Sequence, residues 1–408
     1  MDERRYYGLD ALRGGMMMLG IVLHAAMLYL TSPPPTAPMP VERNNAYVFD
    51  LIFAFIHSFR MPAFFLLSGF FTALLVEKRG LWGTYRNRAA RVLGPLLVGV
   101  VTLLPVTMLF MLDFYLSVRF GTHDFIPNGD DLRTLGMELQ AKGVPAGEPA
   151  LVHLWFLYYL CMFYLLIPLC RGAARVSRRF AAEIERRLAT PLALVAAALC
   201  TALPLWFFHA GQVHEGFILL TPHPPSLLYY GFFFVAGYLL HSHRGLLSAI
   251  ARRVRVWAIL SVLLFPLATI ASAFDHGAPG AEPLRHLAAV LANAFCTWAL
   301  VLLGIGAALR YFDRESPWIQ YVSQSSYWVF LVHMPLVALV GWLLVPFDLP
   351  AVLKFALVCG FAAVVAFASF HYGVQKTWIS SFLHGRRFNL AWPWRGAHDS
   401  IAASVPLP

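Results

Sequence analysis

Charge is scarce in this chain. Lys, Arg, Asp and Glu make up 13% of its 408 residues, about half the share of roughly 25% in a soluble domain. That is too little to cover a water-facing surface. Cysteine is also sparse: Cys161, Cys170, Cys200, Cys296 and Cys359 all lie in or beside apolar stretches. Their placement excludes a disulfide scaffold and a paired-cysteine metal site. There is no P-loop, dinucleotide fingerprint, HExxH or GxSxG, so the chemistries those motifs carry have no foothold here. The run after Met1–Arg5 contains Asp10 and Arg13 and lacks a small-residue cleavage site. The first helix is therefore expected to be retained rather than cleaved. No internal repeat and no separate soluble domain are visible. Ten-residue alternation of polar and apolar positions, the mark of a membrane β-barrel, is missing too.

What the chain has is apolar length. Hydrophobic residues are 59% of the total, and runs of about twenty recur. Candidate spans fall at about 9–30, 48–76, 92–116, 151–170, 190–209, 226–241, 256–274, 287–309, 325–345 and 351–372. The fold class predicted is an all-α polytopic membrane bundle of about ten transmembrane helices. Residues 1–376 would form one domain and 377–408 a short cytoplasmic tail. With the N-terminus cytoplasmic, 24 of the 31 Lys and Arg fall on inner segments and six on outer ones. This alternation predicts both termini inside. It also turns the net charge of +10 into a topology signal, with lipid rather than nucleic acid as the partner. A homo-oligomer is left open. The outer segments are the proline-rich 31–47, the long polar insertion 117–150, and 209–225 with His209, His214, Glu215 and His223. They are large enough to shape an external cleft.

Ionisable residues inside spans are costly and point to function. Asp10, Arg13, Gly20 and His24 share one face of the first helix, with His24 about 16 Å deeper than Arg13. Such a stripe suits an extended ligand; His24 reads equally as a satisfied interior histidine. In the second span, His57 and Arg60 lie near the depth of His24, and Ser68-Gly69 permits close helix approach. Arg88 and Arg91, i,i+3 at the cytoplasmic surface, suit phosphates, or serve as ordinary positive-inside anchors. His153 and Trp155 open the fourth span at the expected outer surface. There Trp155 would stack on a sugar or sit in an interfacial belt. His333, beside Pro335, reads as a support across helices. His241, His243, His371, His384 and His398 are expected to be solvated at cytoplasmic ends.

Taken in order, Leu9-Asp10-Ala11-Leu12-Arg13-Gly14 with His24, Phe64-Phe65-Leu66-Leu67-Ser68-Gly69-Phe70, Arg88-x-x-Arg91, and Ser326-Tyr327 to His333-x-Pro335 resemble the membrane-bound acyltransferase-3 family. His57-x-Phe59-Arg60-Met61-Pro62 and His153-Leu154-Trp155-Phe156-Leu157 are most similar to its periplasmic glucan succinyltransferase branch. The resemblance covers nearly the whole chain. It implies ten helices in a bacterial inner membrane, acyl-CoA (succinyl-CoA or acetyl-CoA) as co-substrate, no metal, and a carbohydrate hydroxyl, a glucan, as acceptor. It implies that His24 is the essential histidine and that Arg88 and Arg91 serve the donor. The resulting expectation places His24, Arg60, Asp10 and His333 at the chemistry. Arg13, Arg88, Arg91 and Ser68 would hold the donor, and His57, His153, Trp155 and Tyr327 the acceptor. The rival reading is a transporter with an intramembrane Arg–His relay; it would move its substrate unchanged.

Overall fold

The computed structural model describes residues 6–33, 41–121, 151–180, 191–213, 221–275 and 282–393, with isolated positions within 123–137 and 183–185. His214, Glu215, His398, residues 34–40 of the proline-rich 31–47, most of the 117–150 insertion, and the tail from 394 lie outside them. The described residues are helical, with no strand among them.

Helix α1 (Tyr7–Met27) buries Leu9, Leu12, Met16, Ile21 and Ala25. It packs against α2 (Tyr47–Arg88) and, later in the chain, α10 (Pro283–Tyr311) and α11 (Pro317–Leu344). α2 is 42 residues long and contains Pro62, but its break lies at Gly80, where φ is +68°. Left-handed backbone favours a residue without a Cβ. A π-turn, Ala89–Leu93, joins α2 to α3 (Gly94–Phe120), which ends on left-handed Gly121. A 3₁₀ turn, Val152–Leu154, opens α4 (Trp155–Tyr164), and the chain bends by 59° into α5 (Ile167–Arg178).

Then follow α6 (Pro191–Leu205), α7 (Pro224–Ser242), α8 (Gly245–Arg252) and α9 (Val254–Phe274) ahead of α10 and α11. α12 (Ala351–Ala368) runs through a second π-turn, Ser369–Val374, toward α13 (Trp378–His384). Proline opens α7, α10 and α11 within the first two positions, where a missing N–H costs nothing.

Small residues set the tightest crossing. A Cβ on Gly69 would sit 1.9 Å from the Phe234 carbonyl oxygen, and one on Gly237 1.8 Å from that of Leu66. α2 and α7 therefore meet backbone to backbone. At the other extreme, α9 leaves Val256, Ile259, Val262, Leu263, Leu267 and Ile270 exposed along its length. Such a face suits hydrocarbon, not water.

Six helical stretches among the described residues are long and apolar enough to cross a bilayer, seven with the bent α4–α5 pair. One of the six, Tyr47–Phe120, runs 74 residues, far beyond the twenty or so that one crossing takes. The expected segment 190–209 appears as the shorter α6, 15 residues, and 226–241 as the 19-residue α7. Beyond residue 376, α13 and the chain up to Trp392 pack on the bundle.

Candidate functional site

Two polar regions lie inside this apolar frame. The first lies at the junction of α2 and α3. A cavity of about 300 Å³ is lined by Arg13, Ser68, Arg88, Arg91, Tyr327 and His384, among others. Two helices and a π-turn thus deliver the four residues expected to hold the donor to one place. Tyr327, expected on the acceptor side, lies here too. Its hydroxyl donates to the Arg91 carbonyl at 2.8 Å.

The arginines are held differently. Arg13 pairs with Asp10 at 3.1 Å, donates to Ser323 Oγ at 3.0 Å, and lies over the Phe71 ring. Arg88 donates to Thr72 Oγ1 at 3.2 Å and lies 5.3 Å from the Tyr164 ring centroid. Arg91 donates to the carbonyls of Ser381 and Phe382, the last turn of α13. The π-turn adds a residue to its turn, so Arg88 and Arg91 do not act as the matched pair that i,i+3 spacing on an α-helix predicts.

Asp10 belongs with this cavity. It pairs with Arg13 and lies about 21 Å along α1 from His24, as the stripe on that helix predicts. His384, expected to be solvated, has a sealed Nε2 with no hydrogen-bond partner. Burial, with Arg13, Arg386 and Arg91 nearby, pushes its pKa down to about 3. The imidazole is therefore neutral at pH 7.

The second region is deeper. The His24 and His333 rings lie 5.2 Å apart, and His153 and His333 5.5 Å apart. Arg60, 5% exposed, donates from Nε to the Met16 carbonyl at 2.9 Å. Its guanidinium fills the space over Gly20: a Cβ there would lie 2.5 Å from Arg60 Nη2 and 3.3 Å from His333 Nε2. The smooth stripe read along α1 is thus occupied at Gly20 by Arg60. His333 Nδ1–H donates to the Phe330 carbonyl at 2.6 Å, and His153 Nε2–H to that of Leu331 at 3.1 Å. His24 Nδ1, His153 Nδ1 and His333 Nε2 are buried without partners. Three imidazoles with open nitrogens beside one guanidinium can move a proton and meet a developing negative charge.

Several expectations need correction here. His153 is not at an outer surface: it is 3% exposed, turned inward by the 3₁₀ turn at Val152, whose φ is +44°. Trp155 is half-buried among Tyr159, Tyr230 and Phe65. His57 stands apart from the trio. Its Nε2–H donates to the Val213 carbonyl at 2.6 Å, and it borders a second, small cavity with Ser58, Gln212 and Asn293. His241 and His243, expected to be solvated, are each 2% exposed. His241 meets Glu77 and Arg244, and His243 meets Ser177.

One aromatic layer separates the two regions. Phe156 lines the cationic cavity and meets Phe330 at 5.8 Å; Phe330 in turn meets both His153 and His333. Sequence reasoning missed Ser323, Tyr164 and this pair of phenylalanines. Ser323 had a faint signal, since Ser323, Ser326 and Tyr327 fall on one helical face.

Across 387 residues, 91% of this chain and 92% of each relative, the chain is 25% identical to the glucans biosynthesis protein C of Salmonella paratyphi B, Salmonella agona and Salmonella enteritidis. No solved structure matches it. The acyltransferase domain family (acyltransferase-3) matches residues 6–371, nearly every helix described above, and the chain belongs to that family as a multi-pass membrane protein.

Proposed function

We propose that this protein transfers an acyl group, succinyl or acetyl, from cytoplasmic acyl-CoA to a hydroxyl of a glucan on the far side of a bacterial inner membrane. The observation that carries the reading is the stacking of a cationic cavity beneath a cluster of imidazoles with open nitrogens, one aromatic layer apart. The glucan is suggested by the name that the relatives carry. Ten crossings with both termini inside fit the charge alternation.

In this scheme the donor's phosphates lie against Arg13 and Arg88, and its thioester reaches His24. The acceptor hydroxyl gives its proton to His24 and attacks the thioester carbonyl. Arg60 stabilises the oxyanion that forms. The C–S bond then breaks, and the thiolate takes the proton back from His24. Products are the ester and free CoA, so atoms and charge balance. His333 and His153 hold the imidazole cluster in place. Arg91 is occupied with α13 and contributes to the donor site mainly through its backbone and position.

Turnover of acyl-CoA and formation of acylated glucan by detergent-purified protein test this. His24→Ala is expected to lose about 10²–10⁴-fold in turnover and to keep CoA binding, whereas Arg88→Ala weakens binding. Near-normal turnover in His24→Ala would refute the role of that histidine. Passage of unmodified substrate without ester formation would favour a transporter.

A further inference from the structure

The family match ends at residue 371, yet the floor of the cationic cavity comes from later residues. Leu383 and His384 of α13 line it beside Arg13, Arg88 and Arg91. The chain that follows is tied back by a single glutamine. Gln375 Oε1 accepts from the Leu390 N–H at 2.9 Å, and its Nε2 donates to the Leu390 carbonyl at 3.3 Å. The Gln375 carbonyl accepts from the Phe388 N–H at 2.7 Å. Trp392 stacks on His371, centroids 4.1 Å apart at 19°. Arg91 caps the carbonyls at the end of α13, and Ser380 Oγ donates to the Arg386 carbonyl at 3.0 Å. Residues 375–392 thus form a strap across one side of the cavity.

His384 is the neutral member of a wall of cations. Its ring meets Tyr327 at 6.0 Å and Phe388 at 5.1 Å, and its Nε2 is buried with no partner. The charged and titratable groups around it are Arg13 of α1, with Asp10 paired to it, Arg88 of α2, Arg91 of the π-turn, Tyr327 of α11 and Arg386 beyond α13. Each cation near it disfavours a further positive charge on the ring. An anion arriving among them reverses that balance. The ring then gains both a hydrogen-bond acceptor and a reason to be protonated.

We propose that His384, carried on this C-terminal strap, is a further phosphate-binding residue of the donor site and takes up a proton when the phosphorylated donor binds. This rests on the reading of the cavity as the acyl-CoA site. A phosphate monoester with a second pKa of about 6 releases protons on meeting arginines, so the imidazole's uptake has the opposite sign and is separable.

The experiment is calorimetric titration of full-length protein with CoA near pH 6, in phospholipid-free detergent and in two buffers of different ionisation enthalpy. That detergent removes lipid headgroups as a competing source of phosphate. Wild type is expected to take up more protons per CoA than His384→Gln, and the variant to bind CoA about tenfold more weakly. Equal affinity and equal proton uptake in the two proteins would overturn this proposal and leave the donor reading standing. Failure of folded wild type to bind CoA at all would overturn both. Should His384→Gln lose its fold, Gln375→Ala, which releases the strap, is expected to weaken CoA binding in the same direction; unchanged affinity there would count against the strap.

Discussion

Gly20 shows how a residue with no side chain specifies a site. The guanidinium of Arg60 occupies the volume that a Cβ would need, 2.5 Å from Nη2. Arg60 is anchored there by the Met16 carbonyl, one turn earlier on the same helix. A methyl group at Gly20 must push the guanidinium away from His24 and His333. Gly20→Ala is expected to lower turnover by about 10²-fold, the usual cost of losing an oxyanion donor, while the purified protein melts within a few degrees of wild type. Retained activity with a large loss of Tm would instead make Arg60 a packing residue. The depth of these groups was legible in the sequence, because position along a helix fixes depth at about 1.5 Å per residue. Which histidines meet was not. His333 reaches His24 from α11, some three hundred positions later, and nothing local encodes that. His153 was misplaced for a related reason: its inward turn depends on a positive φ at Val152, which a β-branched residue seldom adopts and no motif announces.

At the scale of the element, the π-turn Ala89–Leu93 separates two arginines that the sequence pairs. Their opposite fates give a clean contrast. Arg91 donates to two carbonyls at the C-terminus of α13, where an exposed helix end carries partial negative charge. Arg88 faces the cavity over Tyr164. Arg91→Ala is expected to destabilise by about 1.5–3 kcal/mol, the range for hydrogen bonds involving a charged group, and to raise hydrogen exchange in 378–384. Arg88→Ala is expected to leave both nearly unchanged and to cost donor affinity. Differential exchange measured by mass spectrometry separates the two; equal protection of α13 in both variants would remove the capping role from Arg91. The existence of the helices was plain from apolar run length, and the close approach at Gly69 from the Ser68-Gly69 pair. The π-turns and α13 were not, since a π-turn differs from an α-helix by one residue and α13 is seven residues long. A piece that short carries too little periodicity to declare itself.

In the proposed scheme the whole molecule works on two sides of a membrane. Its cationic cavity and its small cavity by His57 are bounded by different sets of helices, and the excess of Lys and Arg falls on the side of the first. In the proposed scheme the acyl-CoA donor, too charged to cross hydrocarbon, meets Arg13 and Arg88 from the side where it is made. If the charge alternation sets the orientation, Trp82, 81% exposed just after the Gly80 break, faces the cytoplasm. Arg285, beside Glu282 at the start of α10, faces outward. Single cysteines at these two positions, in a background without the native five, can be probed with a membrane-impermeant maleimide. In inverted vesicles position 82 is expected to label and 285 not, and in right-side-out vesicles the reverse. Labelling of both from one face would place the cationic cavity and the cavity by His57 on the same side, and acyl transfer across the membrane would then have no physical route through this bundle.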